Sequence, residues 1–303
     1  DYGQFFDNFA GQVEDRNLFV SLDGNDELFE GFVSSGDRYG SATEEDRKAV
    51  EFYHKNGYCI IKKSKIVSEH LSEFKKIIDD LIAKESWRGG WEGKEEYMKY
   101  KKIFQPGAHR LGNLFNKNKL FLKLLIEENI LKIASILMEN DVRIGGLDMR
   151  EPLKGKGLQE FHIDWIPKKE NNQKIQNIVA MIYLDDSTKD NGALRLVPES
   201  HKIPGWIQDN FDVSSSHQNE KIIEVKESTI ILFDGNLWHS GTTNNNGNRR
   251  RALYIDIRHS EIPPLLNQRI YLDENTQNDL DEVEKFLLGI NDNEKFLERV
   301  HTA

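Results

Sequence analysis

Two histidines and one aspartate are placed where they could share a metal ion. In the run Gln159-Glu160-Phe161-His162-Ile163-Asp164-Trp165, an extended backbone sends residues i and i+2 to the same side. His162 and Asp164 would then project together, with Ile163 facing away. By itself a His-x-Asp pair is weak, because such pairs are common among surface polar residues. Farther along, Ile231-Leu232-Phe233-Asp234-Gly235-Asn236-Leu237-Trp238-His239-Ser240-Gly241 carries an apolar strand into a turn and leaves one histidine beyond it. A lone histidine so placed is more often structural. Eleven residues later comes Arg250, after the turn-forming cluster Asn244-Asn245-Asn246-Gly247-Asn248. A hairpin there would bring Arg250 back toward His239, where a guanidinium could grip a carboxylate in bidentate fashion. Arg249, Arg250 and Arg251 could equally be a solvated basic run.

Taken together the pieces are more specific. Two imidazoles and one carboxylate that leave open coordination positions make the facial triad of non-haem iron(II) oxygenases. The arginine adds a partner for the distal carboxylate of a 2-oxoglutarate co-substrate.

Such a site needs elements to hold it. Thr43 reads as the N-cap of a helix that Asn56-Gly57 stops, and 57–63 as a short strand. Ser68 reads as the start of a second helix with Leu71, Phe74, Ile77, Ile78, Leu81 and Ile82 at helical spacing. Residues 86–113 read as a long loop and about 117–139 as a third helix. From 142 the period changes to that of strands, over 142–150, 158–165, 177–184, 193–197, 222–225, 229–234 and 250–258. Along 250–258, Leu253, Ile255 and Ile257 share one face. Arg250, Ala252, Tyr254 and Asp256 share the other, which is polar enough to line a site. The expectation is an α+β chain with a mainly β core, a sandwich or barrel. It would comprise an irregular N-terminal arm over 1–42 and one domain over 43–303. Within that domain lie a helical layer (43–140), a β-barrel core (142–260) and a C-terminal helical segment (274–303).

Composition bounds the partners. The 303 residues carry a formal net charge of −10, without the basic stripe of a nucleic-acid binder or of a protein docking on anionic membranes. The one cysteine, Cys59, leaves no internal disulfide. No apolar stretch is long enough to span a bilayer. The expectations are a cytoplasmic location, a small-molecule substrate, and a monomer or weak homodimer.

The sequence resembles the phytanoyl-CoA dioxygenase family over roughly 43–260. The resemblance rests on ordered motifs. The block from Ala180-Met181-Ile182-Tyr183-Leu184 through Asn191-Gly192 to Pro198-Glu199-Ser200-His201 is similar to the family's middle block. His162-x-Asp164 precedes it, and Trp238-His239 and Arg250 follow. The resemblance implies a double-stranded β-helix (a jelly-roll, cupin-like barrel) with helices packed outside, with Fe(II), and with 2-oxoglutarate and O2 as co-substrates. By position it makes His162, Asp164 and His239 the metal ligands and Arg250 the 2-oxoglutarate anchor. Glu199 stands where the family's turn has glycine. Gly241 stands where a hydroxyl residue is common, which leaves Ser240 or Thr242 to assist the co-substrate. Because Asp164 is present, halogenation is disfavoured.

The reaction so implied is oxidation of an unactivated C–H by hydroxylation, desaturation or ring closure. An amino-acid-derived or carboxylate-bearing metabolite is the favoured substrate, and an acyl-CoA thioester the alternative within the family. Trp165, Arg150 and His109 are the candidate substrate contacts, with Trp165 equally a packing residue. Two other classes remain: a catalytically silent barrel that binds or senses, and a metal-dependent hydrolase or isomerase on the same ligands. Of the remaining histidines, His54, His70, His201, His217, His259 and His301 read as structural or solvated.

Overall fold

Helix α1, Glu44–Asn56, begins at a reciprocal capping box between Thr43 and Asp46 and carries Glu44, Glu45 and Asp46 in its first turn, where acids favour the positive end of the helix dipole. Gly57, at φ 82°, ends it and turns the chain into strand β1, Tyr58–Ile61. The computed structural model describes residues 42–61, 63–85, 107–171 and 173–293. The expected arm over 1–42 (bar its last residue), most of the loop expected over 86–113, and His301 lie outside the described residues.

Two helical expectations are corrected. Helix α2, Lys65–Glu85, starts before Ser68. Its cap is Ser64, whose Oγ accepts the Val67 N–H at 3.0 Å, while Ser68 donates to the Ser64 carbonyl at 2.6 Å. The apolar periodicity over 117–139 does not make one helix. It is divided into α3, Lys119–Leu122, a 3₁₀ turn over Lys123–Ile126, and α4, Glu128–Met138. The break falls at Glu127, which is extended (ψ 100°) and whose buried carboxylate accepts the Ser64 hydroxyl at 2.5 Å. A buried carboxylate needs such a partner, and reaching it takes the backbone out of helical register.

The strands form two antiparallel sheets. Strands β2 (Ala108–Leu111), β3 (Val142–Pro152), β4 (Asn177–Tyr183), β7 (Ile230–Asp234) and β9 (Ala252–His259) join β1 in a six-stranded sheet of order β1-β7-β4-β9-β3-β2. Strands β5 (Leu194–Leu196), β6 (Lys221–Ile223) and β8 (His239–Gly241) form the second, in the order β6-β5-β8. Side chains alternate across the large sheet. Ile178, Ala180, Ile182, Leu232, Leu253, Ile255 and Ile257 pack outward with Phe74, Ile78, Ile133 and Leu137 of the helices. Val179, Met181, Tyr183, Ile231, Phe233 and Ala252 pack inward with Leu194 and Leu196 of the small sheet. This is the double-stranded β-helix, with helices on the outer face of its larger sheet. The expected strand over 158–165 is not a regular one, and it contributes a single bridge at His162. Strands β2 and β8 form where no separate strand was expected. A short helix α5 (Ile207–Asn210) lies between β5 and β6, and past the last strand come α6 (Gln268–Tyr271), α7 (Glu274–Asp279) and α8 (Glu282–Leu287). Among the described residues no helix is long and apolar enough to cross a membrane.

Ion pairs tie α2 to the sheet. Arg249 forks onto Glu151 at 2.5 and 2.8 Å and reaches Asp79 at 2.6 Å. Arg251 forks onto Asp185 at 2.8 and 2.7 Å and also reaches Asp79 at 2.9 Å. Burial alone would raise the Asp185 carboxyl, but its bonds from Arg251 and the charge of Lys75 hold it below the usual value. A depressed carboxylate stabilises the fold above its unfolded pKa, and that stability is lost as pH falls through the folded value. Asp185→Asn is therefore expected to cost about 2 kcal/mol at pH 7 and to flatten the loss of stability below about pH 4, both read from urea midpoints across pH. Phe74, fully buried against Phe121 with ring centroids 5.6 Å apart, fastens α2 to the helical layer. Phe74→Ala is expected to cost about 3–5 kcal/mol in the same measurement.

Candidate metal centre

His162 and His239 face each other across an isolated antiparallel bridge, each backbone N–H donating to the other's carbonyl at 3.0 and 3.1 Å. Each imidazole then turns its Nδ1–H onto a carbonyl two residues back, Glu160 O at 2.9 Å and Leu237 O at 2.8 Å. Those bonds fix the tautomer and leave both Nε2 lone pairs toward one point, with the rings 4.4 Å apart. Asp164 is brought there by its own N–H bond to the Gly235 carbonyl at 2.7 Å. Its Oδ1 stands 3.7 Å from His162 Nε2 and its Oδ2 3.3 Å from His239 Nε2. Gly235 admits this close approach, because a Cβ there would lie 2.8 Å from the Cβ of Trp165.

The turn before His239 is equally constrained. Asn236 N–H bonds Asp234 Oδ1 at 2.8 Å, and Asp234 in turn holds buried Lys168 at 3.0 Å. Ser200 Oγ accepts the Trp238 N–H at 2.8 Å. The Ser200-His201 turn thus sets the backbone that presents His239. Glu199 occupies the left-handed region at φ 69°, the conformation that explains glycine at this place in the resembled pattern.

The donor set fits a divalent cation. Among the described residues His162, Asp164 and His239 form the one group of three ligating side chains whose donor atoms all lie within 4.8 Å of one another. Adjacent corners of an octahedron about 2.1 Å from a metal are about 3 Å apart, so small side-chain movements would close the triad. The electrostatics agree with the geometry. Burial, with the charge of His239, pushes His162 down to about 4, leaving it neutral and able to ligate. Burial would raise Asp164, but the two histidines and Arg110 outweigh it and hold the carboxyl at about 2. Burial would lower His239, and Asp164 reverses that. One carboxylate thus faces two imidazole nitrogens in a largely buried pocket.

Around the triad that pocket is lined by Arg110, Arg150, Gln159, Met181, Arg250 and Tyr254. Arg250 is 1% exposed and turns inward, its Nη1 3.3 Å from the Tyr254 hydroxyl, whereas Arg249 and Arg251 turn outward to their carboxylates. Arg150 is also inside, and 2% exposed. Trp165 is brought beside the triad but does not line the pocket. Its indole packs under the Arg258 guanidinium at 5.1 Å, and Nε1 donates to Gln176 at 3.4 Å. His109 is not brought to the site. In β2 it pairs with Glu151, while its neighbour Arg110 pairs with Arg150 and lines the pocket, and alternate strand residues take opposite faces. Ser240 borders the pocket, but its Oγ accepts Arg195 Nε at 2.6 Å, and Thr242 Oγ1 donates to the Ala193 carbonyl at 2.9 Å. Arg195 itself packs on Phe161, outside the pocket. The sequence reading missed Arg110, Gln159 and Tyr254 as pocket residues. Apolar Ala108 and Leu111 at the ends of His109-Arg110 were the available signal for a strand there.

The family model described as Phytanoyl-CoA dioxygenase (PhyH) matches residues 53–252, about two thirds of the chain. A second, for the YggL 50S ribosome-binding protein, matches residues 1–69, less than a quarter of it. Among solved structures, AviO1 from Streptomyces viridochromogenes Tue57 is similar at 19% identity and TM-score 0.54, over 74% of this chain and 99% of that one. HygX from Streptomyces hygroscopicus, with nickel and 2-oxoglutarate bound, is similar at 14% identity and TM-score 0.53, over 71% of this chain and 88% of that one. SnoK, a non-heme alpha ketoglutarate dependent carbocyclase from nogalamycin biosynthesis, is similar at 19% identity and TM-score 0.54, over 73% of this chain and 88% of that one. At these identities the structural likeness establishes the double-stranded β-helix. The family match spans the helical layer from the end of α1 onward, the triad and Arg250, and the chain belongs to the phytanoyl-CoA dioxygenase family, an iron(II)- and 2-oxoglutarate-dependent oxygenase.

Proposed function

We propose that this enzyme oxidises an unactivated C–H bond of a small polar metabolite, with iron held by His162, Asp164 and His239 and 2-oxoglutarate held at its distal carboxylate by Arg250. The observation that carries the reading is the convergence of both Nε2 atoms and the Asp164 carboxylate in a pocket that Arg250 also lines. When bound, iron with 2-oxoglutarate and O2 supplies an oxidant strong enough to take a hydrogen atom from carbon. The protein's own residues do the rest. The Nδ1–H bonds to Glu160 and Leu237 keep both imidazoles in the ligating orientation, and Arg250, buried and charged, fixes the direction of the co-substrate. Hydroxylation, desaturation and ring closure share that first step, and the position of the substrate selects among them.

The substrate class follows from the lining. Beside the triad the wall is mostly polar, and Arg110, whose charge lowers Asp164, stands on the edge strand β2. A guanidinium there suits a carboxylate or several oxygens better than an acyl chain. Small-molecule specialised metabolism also agrees with the neighbours, since HygX is solved with hygromycin B bound and SnoN is an epimerase solved with nogalamycin RO.

Anaerobic titration of the apoprotein with Fe(II) and then 2-oxoglutarate is expected to give a visible charge-transfer band only when both are present, and Asp164→Ala is expected to weaken or abolish it. Absence of the band from folded, metal-loaded wild type would refute the reading and favour a binding barrel. Arg250→Ala is expected to raise the KM for 2-oxoglutarate about 10- to 100-fold while leaving Fe(II) affinity within about twofold. Equal loss of both would instead place Arg250 in the scaffold.

A further inference from the structure

Position 241 is where the pocket departs from expectation. Gly241 lies on the same inward face of β8 as His239, two residues before it along the strand, yet it offers no side chain to whatever lies beside the metal. A Cβ there would stand 3.0 Å from Arg150 Nη1 and 2.9 Å from Gln159 Oε1. The neighbouring hydroxyls are committed elsewhere, Ser240 to Arg195 and Thr242 to the Ala193 carbonyl. The room left by Gly241 is thus shared by the Gln159 amide and a guanidinium from the opposite sheet.

Arg150 is built into that place. It is 2% exposed, and its Nη2 donates to the Gly157 carbonyl at 2.9 Å. It lies opposite Ala252 in the β3–β9 register, and Arg250 is two residues earlier on the same face of the chain entering β9. Diagonal neighbours of this kind across a sheet are about 7–8 Å apart at Cα, within reach of one carboxylate between two long side chains. Both line the same pocket as the triad.

We infer that Arg150 is a second anchor for the distal carboxylate of 2-oxoglutarate, standing with Arg250 where a side-chain hydroxyl at 241 would otherwise serve. The inference rests on the proposed function and adds a specificity to it. Two guanidiniums select a 2-oxo acid that carries a second carboxylate and discriminate against one that lacks it. Gly241 favours this arrangement, because a Cβ there would crowd both the Gln159 amide and the Arg150 guanidinium.

The test is anaerobic titration of the Fe(II)-loaded protein with 2-oxoglutarate and, separately, with 2-oxobutyrate, which lacks the distal carboxylate. It compares wild type, Arg150→Met, Arg150→Lys and Arg250→Met, with the charge-transfer band as the readout of binding. Arg150→Met is expected to raise the Kd for 2-oxoglutarate about 10- to 100-fold and to leave that for 2-oxobutyrate within about twofold. Arg150→Lys, which keeps the charge and disturbs the fold least, is expected to fall between. Gly241→Ser is expected to weaken 2-oxoglutarate in the same selective way. Wild-type affinity for 2-oxoglutarate in Arg150→Met, beside a defect in Arg250→Met, would overturn the inference and leave the proposed function standing, as would equal weakening of both acids. No band in the wild type would overturn both.

Discussion

Two backbone hydrogen bonds between His162 and His239 are the constraint on which the site depends. They join a segment that is otherwise irregular to the last strand of the small sheet, and they fix how far apart the two imidazoles can be. Once that bridge exists, each ring has one carbonyl within reach of its Nδ1–H, and the opposite nitrogen has one direction to face. Asp164 needs a further bond to Gly235 to arrive. Main-chain carbonyls thus aim both imidazoles, and Phe233 packs against the His239 ring with centroids 4.6 Å apart. A slip of one residue in either segment would send the histidines to opposite faces and dissolve the site.

The large sheet works because it is apolar on both sides for different reasons. Its outer face must be covered, and α2 and α4 cover it. Its inner face is apolar toward Phe233 and Ile231, where it meets the small sheet, and polar toward Arg150, Tyr254 and Arg250, where it meets the pocket. The gradient along one face of β9, from Ala252 through Tyr254 to Asp256, divides packing from chemistry within a single strand.

That division was largely legible in the sequence. The alternation over 250–258 separates Leu253, Ile255 and Ile257 from the polar set, and the sheet uses both faces as that pattern implies. His162-x-Asp164 and His239 could be picked out because metal chemistry restricts residue type and spacing together. The elements that escaped are those whose signals are set by distant partners. Apolar spacing over 117–139 is helical throughout, and only the Ser64 hydroxyl, more than fifty positions away, accounts for the break at Glu127. Strand β2 is four residues long and its faces are undefined until β3 lies beside it, so the sequence alone does not tell that Arg110, and not the expected His109, lines the pocket. The run Arg249-Arg250-Arg251 reads as uniform charge. Its division into an inward residue between two outward ones needs Glu151, Asp79 and Asp185, which no local pattern reveals.

The outward arginines bear on the inward one. A charge as buried as that of Arg250 is tolerable only where its surroundings favour it, and it can be aimed only if the backbone on either side is held. Forked ion pairs at 249 and 251 hold both neighbours, so the backbone that aims Arg250 is anchored on either side by residues whose own charges are already matched. On the pocket side the balance is different. Arg110, Arg150 and Arg250 bring three guanidiniums to a lining whose one acidic residue is Asp164. The surplus of positive charge favours a ligand that carries more than one carboxylate.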